Sequence, residues 1–275
     1  MPHPIPPSET RTPDELREQL EVERELAQRL RDAKDTRGMY SAAYDEFHRR
    51  FPEHPVFQQD ASALVSLQVQ LLEPFLTPSM RFLEVGGANC ALTIALSKRL
   101  PRVFAIEAQR TAKPDHVEVV VADTPPYPLP DSCVDLAFSS HVIEHLRSDD
   151  ALLHMREMHR VLAPGGRYIC VTPNRLWGPH DVSRYFSDVP VGLHLREYTH
   201  NELLRMMKQA GFRKLRVIPE VGASDGLAAH LYTRVLEGVL AGAPLGIRRW
   251  GLGVISRGRS EPFRLFEQVI VIGSR

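Results

Sequence analysis

Apolar positions along the chain change rhythm near residue 80. Before it they recur at helical spacing: Leu16, Leu20, Ala27 and Leu30, then Tyr40, Tyr44 and Phe47, then Leu64, Leu67, Leu71 and Leu72. The spacing predicts helices over about 13–33, from about 38, and over about 56–76. Thr12-Pro13-Asp14-Glu15 reads as an N-cap, a first-turn proline and early acids. Apolar residues are sparse among charges in the first helix, which predicts a mostly solvated face or a partner-binding arm. The leucines of the third should pack beside a sheet.

After residue 80, short apolar runs take over. Strands are expected at 82–85, 102–107, 117–121, 134–139 and 166–172, with helices between most of them, the alternation of a doubly wound α/β sheet. The connection 108–114 is too short for a full crossover helix. A helix over 201–210 stopped by Gly211, a strand at 214–218 and a closing strand at 268–272 complete the pattern. Between the last two lies an insertion at 220–262, with Leu227, Leu231, Val235 and Val239 at helical spacing and Arg248, Arg249, Arg257 and Arg259 near its end. Such a basic amphipathic segment suits peripheral membrane contact, a lid or a dimer surface. Its Asp225, His230, Arg234 and Glu237 argue against a transmembrane span. The organisation expected is a flexible start at 1–12, N-terminal helices at 13–76, and one α/β domain at 77–275 carrying the insertion.

Charge narrows the partners. Lys and Arg balance Asp and Glu at 34 each, so no global field favours nucleic acid or another polyanion. Cys90, Cys133 and Cys170 show no C-x-x-C spacing, and Cys133 and Cys170, in or beside strand-like runs, read as reduced, packed thiols, which suits a cytoplasmic protein. Residues 1–12 are proline-rich without an apolar core, unlike a signal peptide. The sequence sets no oligomeric state.

The candidate chemistry centres on Phe82-Leu83-Glu84-Val85-Gly86-Gly87-Ala88-Asn89-Cys90, a strand breaking at two glycines into a helix start. Such turns lie at the carboxyl edge of open sheets, where ligands bind. A dinucleotide would need the later glycines of G-x-G-x-x-G, which are missing. Glu107 ends the next strand about 20 residues on, where a carboxylate can accept bonds from ribose hydroxyls. The ligand reads as a nucleoside without a diphosphate.

With Glu84 two residues before the first glycine, this stretch resembles motif I of the class I S-adenosylmethionine-dependent methyltransferases, from whose common pattern it departs at Ala88 and Cys90. Residues 129–146 resemble the fourth-strand region of that family, and 157–166 the helix end and turn before its fifth strand, with Gly165 as a left-handed stop. The resemblance covers about 80–174 and implies a seven-stranded, mostly parallel Rossmann-like sheet whose antiparallel last strand is 268–272. It implies S-adenosylmethionine as cofactor, with Gly86, Gly87 and the Cys90 region near the methionine end, Glu107 on the ribose and Asp123 on adenine. Asp123 also reads as a plain turn former. Ser139, at the end of the fourth strand, joins the cofactor set. Tyr44 reads either as a lid residue over the sulfonium or as packing. The acceptor expected is an oxygen or nitrogen of a small metabolite or glycan precursor. His141 or His145 is the candidate general base, and Asn174, His180 and His194 line the acceptor side.

Two other classes compete. His141-Val142-Ile143-Glu144-His145 spells the H-x-x-E-H of a zinc peptidase, which needs a long helix to bring both histidines together. The same stretch resembles the E-x-x-E-H of ubiquinone-pathway O-methyltransferases, which is linked to a divalent metal. His141 replaces its first Glu, so no metal ligand is assigned. A non-catalytic binding module of the same fold is the other alternative, against which Glu107 and Asp123 speak.

Overall fold

The computed structural model describes residues 5–6, 9–54, 61–109, 114–218, 235, 237–240, 242–243 and 268–275. Most of the insertion expected at 220–262, including all five of its arginines, Leu227 and Leu231, lies outside these residues, as do 110–113 of the short connection and 55–60 ahead of the third helix.

Three helices precede the sheet: α1 (Pro13–Asp32), α2 (Met39–Arg50) and α3 (Ala61–Leu72). The predicted start of α1 is a full capping box, with Thr12 Oγ1 accepting from the Glu15 amide and the Glu15 carboxylate accepting from the Thr12 amide. The expectation of a mostly solvated α1 is corrected. Leu16, Leu20, Val22, Leu26, Ala27 and Leu30 are buried, and so are Gln19 and Glu23. Burial of the last two is tolerated because Gln19 Nε2 donates to Glu23 Oε1 at 2.6 Å and the Leu193 amide donates to Glu23 Oε2 at 3.1 Å. Just ahead of α1, Glu9 pairs with Arg11 at 2.7 Å and accepts from Tyr185 Oη at 3.1 Å. In α3, Leu64 and Leu67 are 51% and 53% exposed rather than packed. The inward stripe is Val65, Val69 and Leu72, spaced as i, i+4 and i+7; with leucine or valine on more than one side of the helix, the sequence does not disclose which face is inner.

The strands are β1 (Arg81–Val85), β2 (Arg102–Glu107), β3 (Val117–Val121), β4 (Val134–Ser140), β5 (Leu162–Pro173), β6 (Arg213–Val217) and β7 (Gln268–Ser274). Between them run α4 (Ala91–Ser97), α5 (Ser148–Val161) and α6 (His200–Gln209). They form one seven-stranded sheet in the order β3-β2-β1-β4-β5-β7-β6, parallel except for β7. Side chains alternate between faces. Leu83, Val85, Phe104, Ile106, Ala137 and Tyr168 pack under α1, α2 and α5, while Phe82, Val103, Leu136, Phe138 and Ile169 pack under α3 and α4. Gly165 does adopt a left-handed φ of 80°, but α5 has ended at Val161, so Gly165 shapes the start of β5 rather than stopping the helix. The chain reverses its winding direction between β1 and β4, which opens the carboxyl edge of the sheet at that point.

Candidate active site

The turn after β1 forms at that edge. Gly86 takes a φ of 76° and donates its amide to Ile106 O at 2.9 Å; a Cβ there would meet Val142 Cγ2 at 2.4 Å. At Gly87 a Cβ would lie 2.6 Å from the Glu84 carboxyl carbon, so the missing side chain is what lets the acid tuck under the turn. Ala88 and Cys90, standing where the family pattern has glycine, also adopt left-handed φ values of 55° and 58°. The turn therefore forms despite both departures, at a strain of roughly 1–3 kcal/mol each.

Two acids lie beneath it. Glu107 accepts from the amides of Ala88, at 3.0 Å, and Gly87, and contacts Cys90 Sγ at 3.8 Å. Burial pushes its pKa up to about 7 against these donors. Glu84 is buried, with the Thr93 amide on its carboxylate and Oε2 without a hydrogen-bond partner. Burial, then the neighbouring Glu107, raises it to about 8.

Helix α2 bridges this edge. Asp123, at the end of β3, accepts from the Gly38 and Ser41 amides at 3.0 and 3.1 Å, and Gln109, after β2, reaches Asp45 at 2.5 Å. At the other side Tyr40 Oη donates to Asp150 at 2.7 Å and accepts from the Arg147 amide at 2.9 Å. Tyr44 sets its ring edge-on to His145, with centroids 5.7 Å apart, so it stands beside the histidines that follow β4.

Those histidines surround Glu144, which is fully buried. Thr172 Oγ1 donates to its Oε2 at 2.8 Å; its Oε1 lies 3.2 Å from His141 Nδ1, without the alignment of a hydrogen bond. Burial disfavours its charge, but His141, His145 and His194 outweigh that and hold its pKa at about 2. His145 gives Nδ1 to Leu193 O at 3.0 Å, and burial lowers its pKa to about 4. His194 stacks edge-on to His145 at 4.9 Å and gives Nδ1 to Glu197 at 2.8 Å. Burial opposes its charge, yet Glu197, Glu144 and Asp181 raise it to about 9. His141 follows β4 with a φ of 56°, and Ile143–His145 is a single 3-10 turn. The zinc-peptidase reading falls on this point, because no helix carries its two histidines.

The comparisons agree with the fold. Residues 83–170 match the family described as the methyltransferase domain. A ubiquinone/menaquinone biosynthesis C-methyltransferase of Acidiphilium cryptum is 34% identical over 98 residues, 36% of this chain and 38% of its own length. The chain thus matches well under half of that relative. Among solved structures, a SAM dependent methyltransferase from Archaeoglobus fulgidus superposes with a TM-score of 0.54 at 13% identity, over 84% of this chain and 99% of its own. The 1,6-didemethyltoxoflavin-N1-methyltransferase of Burkholderia thailandensis does so at 0.50 and 14% identity, over 100% and 93%. The last two show the fold. Over residues 83–170 the chain is thus similar to S-adenosylmethionine-dependent methyltransferases.

The cofactor side of this methyltransferase domain fits a nucleoside: a turn kept open by Gly86 and Gly87, a buried acid below it with an orphaned oxygen, and a second acid at the end of β2. The remaining predicted residues are placed differently. Both carboxylate oxygens of Asp123 cap α2. Ser139 turns its hydroxyl into the core, 2.6 Å from Tyr168 Oη, in a chain continuing through His154 to Tyr127 at 2.8 Å per step. Asn174 and His180 brace the loop after β5, with His180 Nε2 donating to Asn174 O at 3.0 Å and Asn174 Oδ1 accepting from Leu176. Of the three acceptor-side candidates, His194 alone meets the histidines after β4. Reasoning from sequence missed Glu23, Asp181 and Glu197, whose carboxylates surround His194. Only the H-L-R-E spacing of His194 and Glu197 hinted at one pair.

The buried acid below the turn makes stability depend on pH. Glu84 is raised in the folded protein from its unfolded value of 4.5 to about 8, so folding favours its neutral form. Its contribution is full below about 4.5 and falls as the pH rises through about 8, by at most about 1.4 kcal/mol per unit. Glu84→Gln, which keeps an acceptor for the Thr93 amide, should be the more stable protein at alkaline pH and lose that slope. Urea denaturation of both proteins across this window checks it; equal slopes would show that Glu84 is ionised in the fold.

Proposed function

We propose that the protein transfers a methyl group from S-adenosylmethionine to an oxygen or nitrogen of a small metabolite or glycan precursor. The observation that carries the reading is the adjacency, at one sheet edge, of the glycine turn over two acids and of a histidine cluster that follows β4. The cofactor supplies a methyl group already activated by its sulfonium. The protein's part is to hold the acceptor in line, exclude water and take the proton that the acceptor must lose. Glu107 accepts the ribose hydroxyls, and α2, capped by Asp123, covers the site with Tyr44.

A small acceptor suits the balanced overall charge, which offers no attraction for nucleic acid. Among the described residues, no helix is long and apolar enough to cross a membrane. The reading is tested by titrating the protein calorimetrically with S-adenosylhomocysteine, then incubating it with labelled methyl donor and fractionated metabolites. One-to-one binding with label transferred to a small molecule is expected. Absence of binding rejects the cofactor assignment, and binding without transfer to any fraction favours the non-catalytic module.

A further inference from the structure

We propose that Glu144, His145 and His194 bind one divalent transition-metal ion beside the acceptor side of the methyltransferase domain. One ligand atom from each lies within 4.8 Å of the other two. Ligand atoms about 2.0–2.2 Å from a tetrahedral ion lie about 3.5 Å apart, so the three groups would have to draw together by roughly 1 Å to hold one. This is not the H-x-x-E-H grouping, because His141 is outside it and His194 comes from the loop after β5.

The stronger argument is what holds each ligand from behind. His145 Nδ1 faces the Leu193 carbonyl at 3.0 Å, an acceptor only, so Nδ1 carries the proton and Nε2 keeps a lone pair in the neutral ring. His194 Nδ1 faces the Glu197 carboxylate at 2.8 Å, which imposes the same tautomer when the ring is neutral. Glu144 Oε2 is fixed by Thr172 at 2.8 Å, while buried Oε1 has no aligned hydrogen bond and only His141 Nδ1 at 3.2 Å beside it. Each group thus has one polar atom engaged by the protein and one left toward the cluster. Carboxylate or carbonyl partners behind metal-bound histidines orient ligands in this way.

Charge points the same way. Facing the cluster are Glu144 from the turn after β4, Glu197 and Asp181 from the loop after β5, and Glu23 from α1; the groups able to carry positive charge there are His141, His145 and His194. Glu197 Oε2 and Asp181 Oδ2 are also buried without partners. A divalent cation would offset this excess of carboxylates in a way that partly charged imidazoles do not. Two imidazoles and one carboxylate suit zinc, iron(II) or cobalt(II) over magnesium or calcium, and leave open coordination positions. Tyr44 borders the same space from α2.

The test uses the full chain, stripped with a chelator and titrated with zinc by calorimetry and with cobalt(II) by visible spectroscopy. One equivalent is expected to bind, with the absorption bands of a nitrogen- and oxygen-ligated cobalt ion. Glu144→Gln and His194→Ala should each weaken binding by about tenfold or more, and thermal melting reports whether they fold. If His194→Ala does not fold, the near-isosteric Glu144→Gln carries the comparison. Binding that is substoichiometric, or unchanged in the folded variants, overturns the proposal and leaves a metal-free ion-pair cluster. Stoichiometric metal without binding of S-adenosylhomocysteine would uphold this site and reject the cofactor assignment, so the two readings fail separately.

Discussion

Replacing His141 with alanine is expected to lower methyl transfer by about 100-fold or more while cofactor binding stays intact. In-line displacement at the sulfonium carbon demands little covalent chemistry from the protein, but an acceptor hydroxyl or ammonium must lose its proton. A base has to reach that proton, and the histidines after β4 differ in this respect. His145 is locked against Leu193 O and between the rings of Tyr44 and His194, and burial lowers its pKa to about 4, which makes it a poor base. His141 is 43% exposed, and its Nδ1 lies 3.2 Å from the ionised Glu144. Its Nε2 lies 3.4 Å from the Gln268 side chain. The measurement, once an acceptor is in hand, is single-turnover transfer at several pH values for His141→Ala and His145→Ala. A base shows as a lost pH-dependent step in the His141 variant with unchanged affinity for S-adenosylhomocysteine. If neither variant slows the chemical step, positioning alone carries the reaction and the base assignment is withdrawn.

The second large effect is on the cofactor. Glu107→Ala should weaken binding of S-adenosylhomocysteine by roughly 1.5–3 kcal/mol, the worth of hydrogen bonds to a charged acceptor. Wild-type affinity should also depend on pH in a definite direction. Ribose hydroxyls donate best to the ionised carboxylate, and burial raises Glu107 to about 7 in the free protein. Below that value the carboxyl is mostly protonated, and binding must first remove the proton. Affinity should therefore rise with pH up to about 7 and level off above it, by at most about tenfold per unit on the acid side. Calorimetry at about pH 6 and about pH 8 measures the slope, which Glu107→Gln should flatten. Equal affinity of wild type and Glu107→Ala would remove Glu107 from the site.

Much of the fold was legible because its signals are local. The apolar runs at β1 to β4 lie within one or two residues of their expected ends, since a buried parallel strand has to be apolar along its length. The glycine turn was legible too, and the left-handed Ala88 and Cys90 show that backbone demand at a turn can override residue preference. The site was read less well. Asp123 was weighed between adenine and a turn, whereas its carboxylate caps a helix 85 residues earlier, at Gly38. Ser139 has the expected place in β4, but its hydroxyl points to Tyr168 on the neighbouring strand.

By itself, then, the sequence determined the order of strands and helices, the doubly wound class, the turn that carries Gly86 and Gly87, and the acid that follows one strand later. These depend on period, turn chemistry and spacing, which act over a few residues. Tertiary structure alone decided which side of α1 is buried, that Glu23 reaches the Leu193 amide 170 residues away, and that His194 stands against His145. It also decided the charge states, raising Glu84, Glu107 and His194 while lowering Glu144 and His145. The physical reason is that a side chain's desolvation and its facing charges are set by segments distant in the chain, and no local pattern encodes which ones will meet.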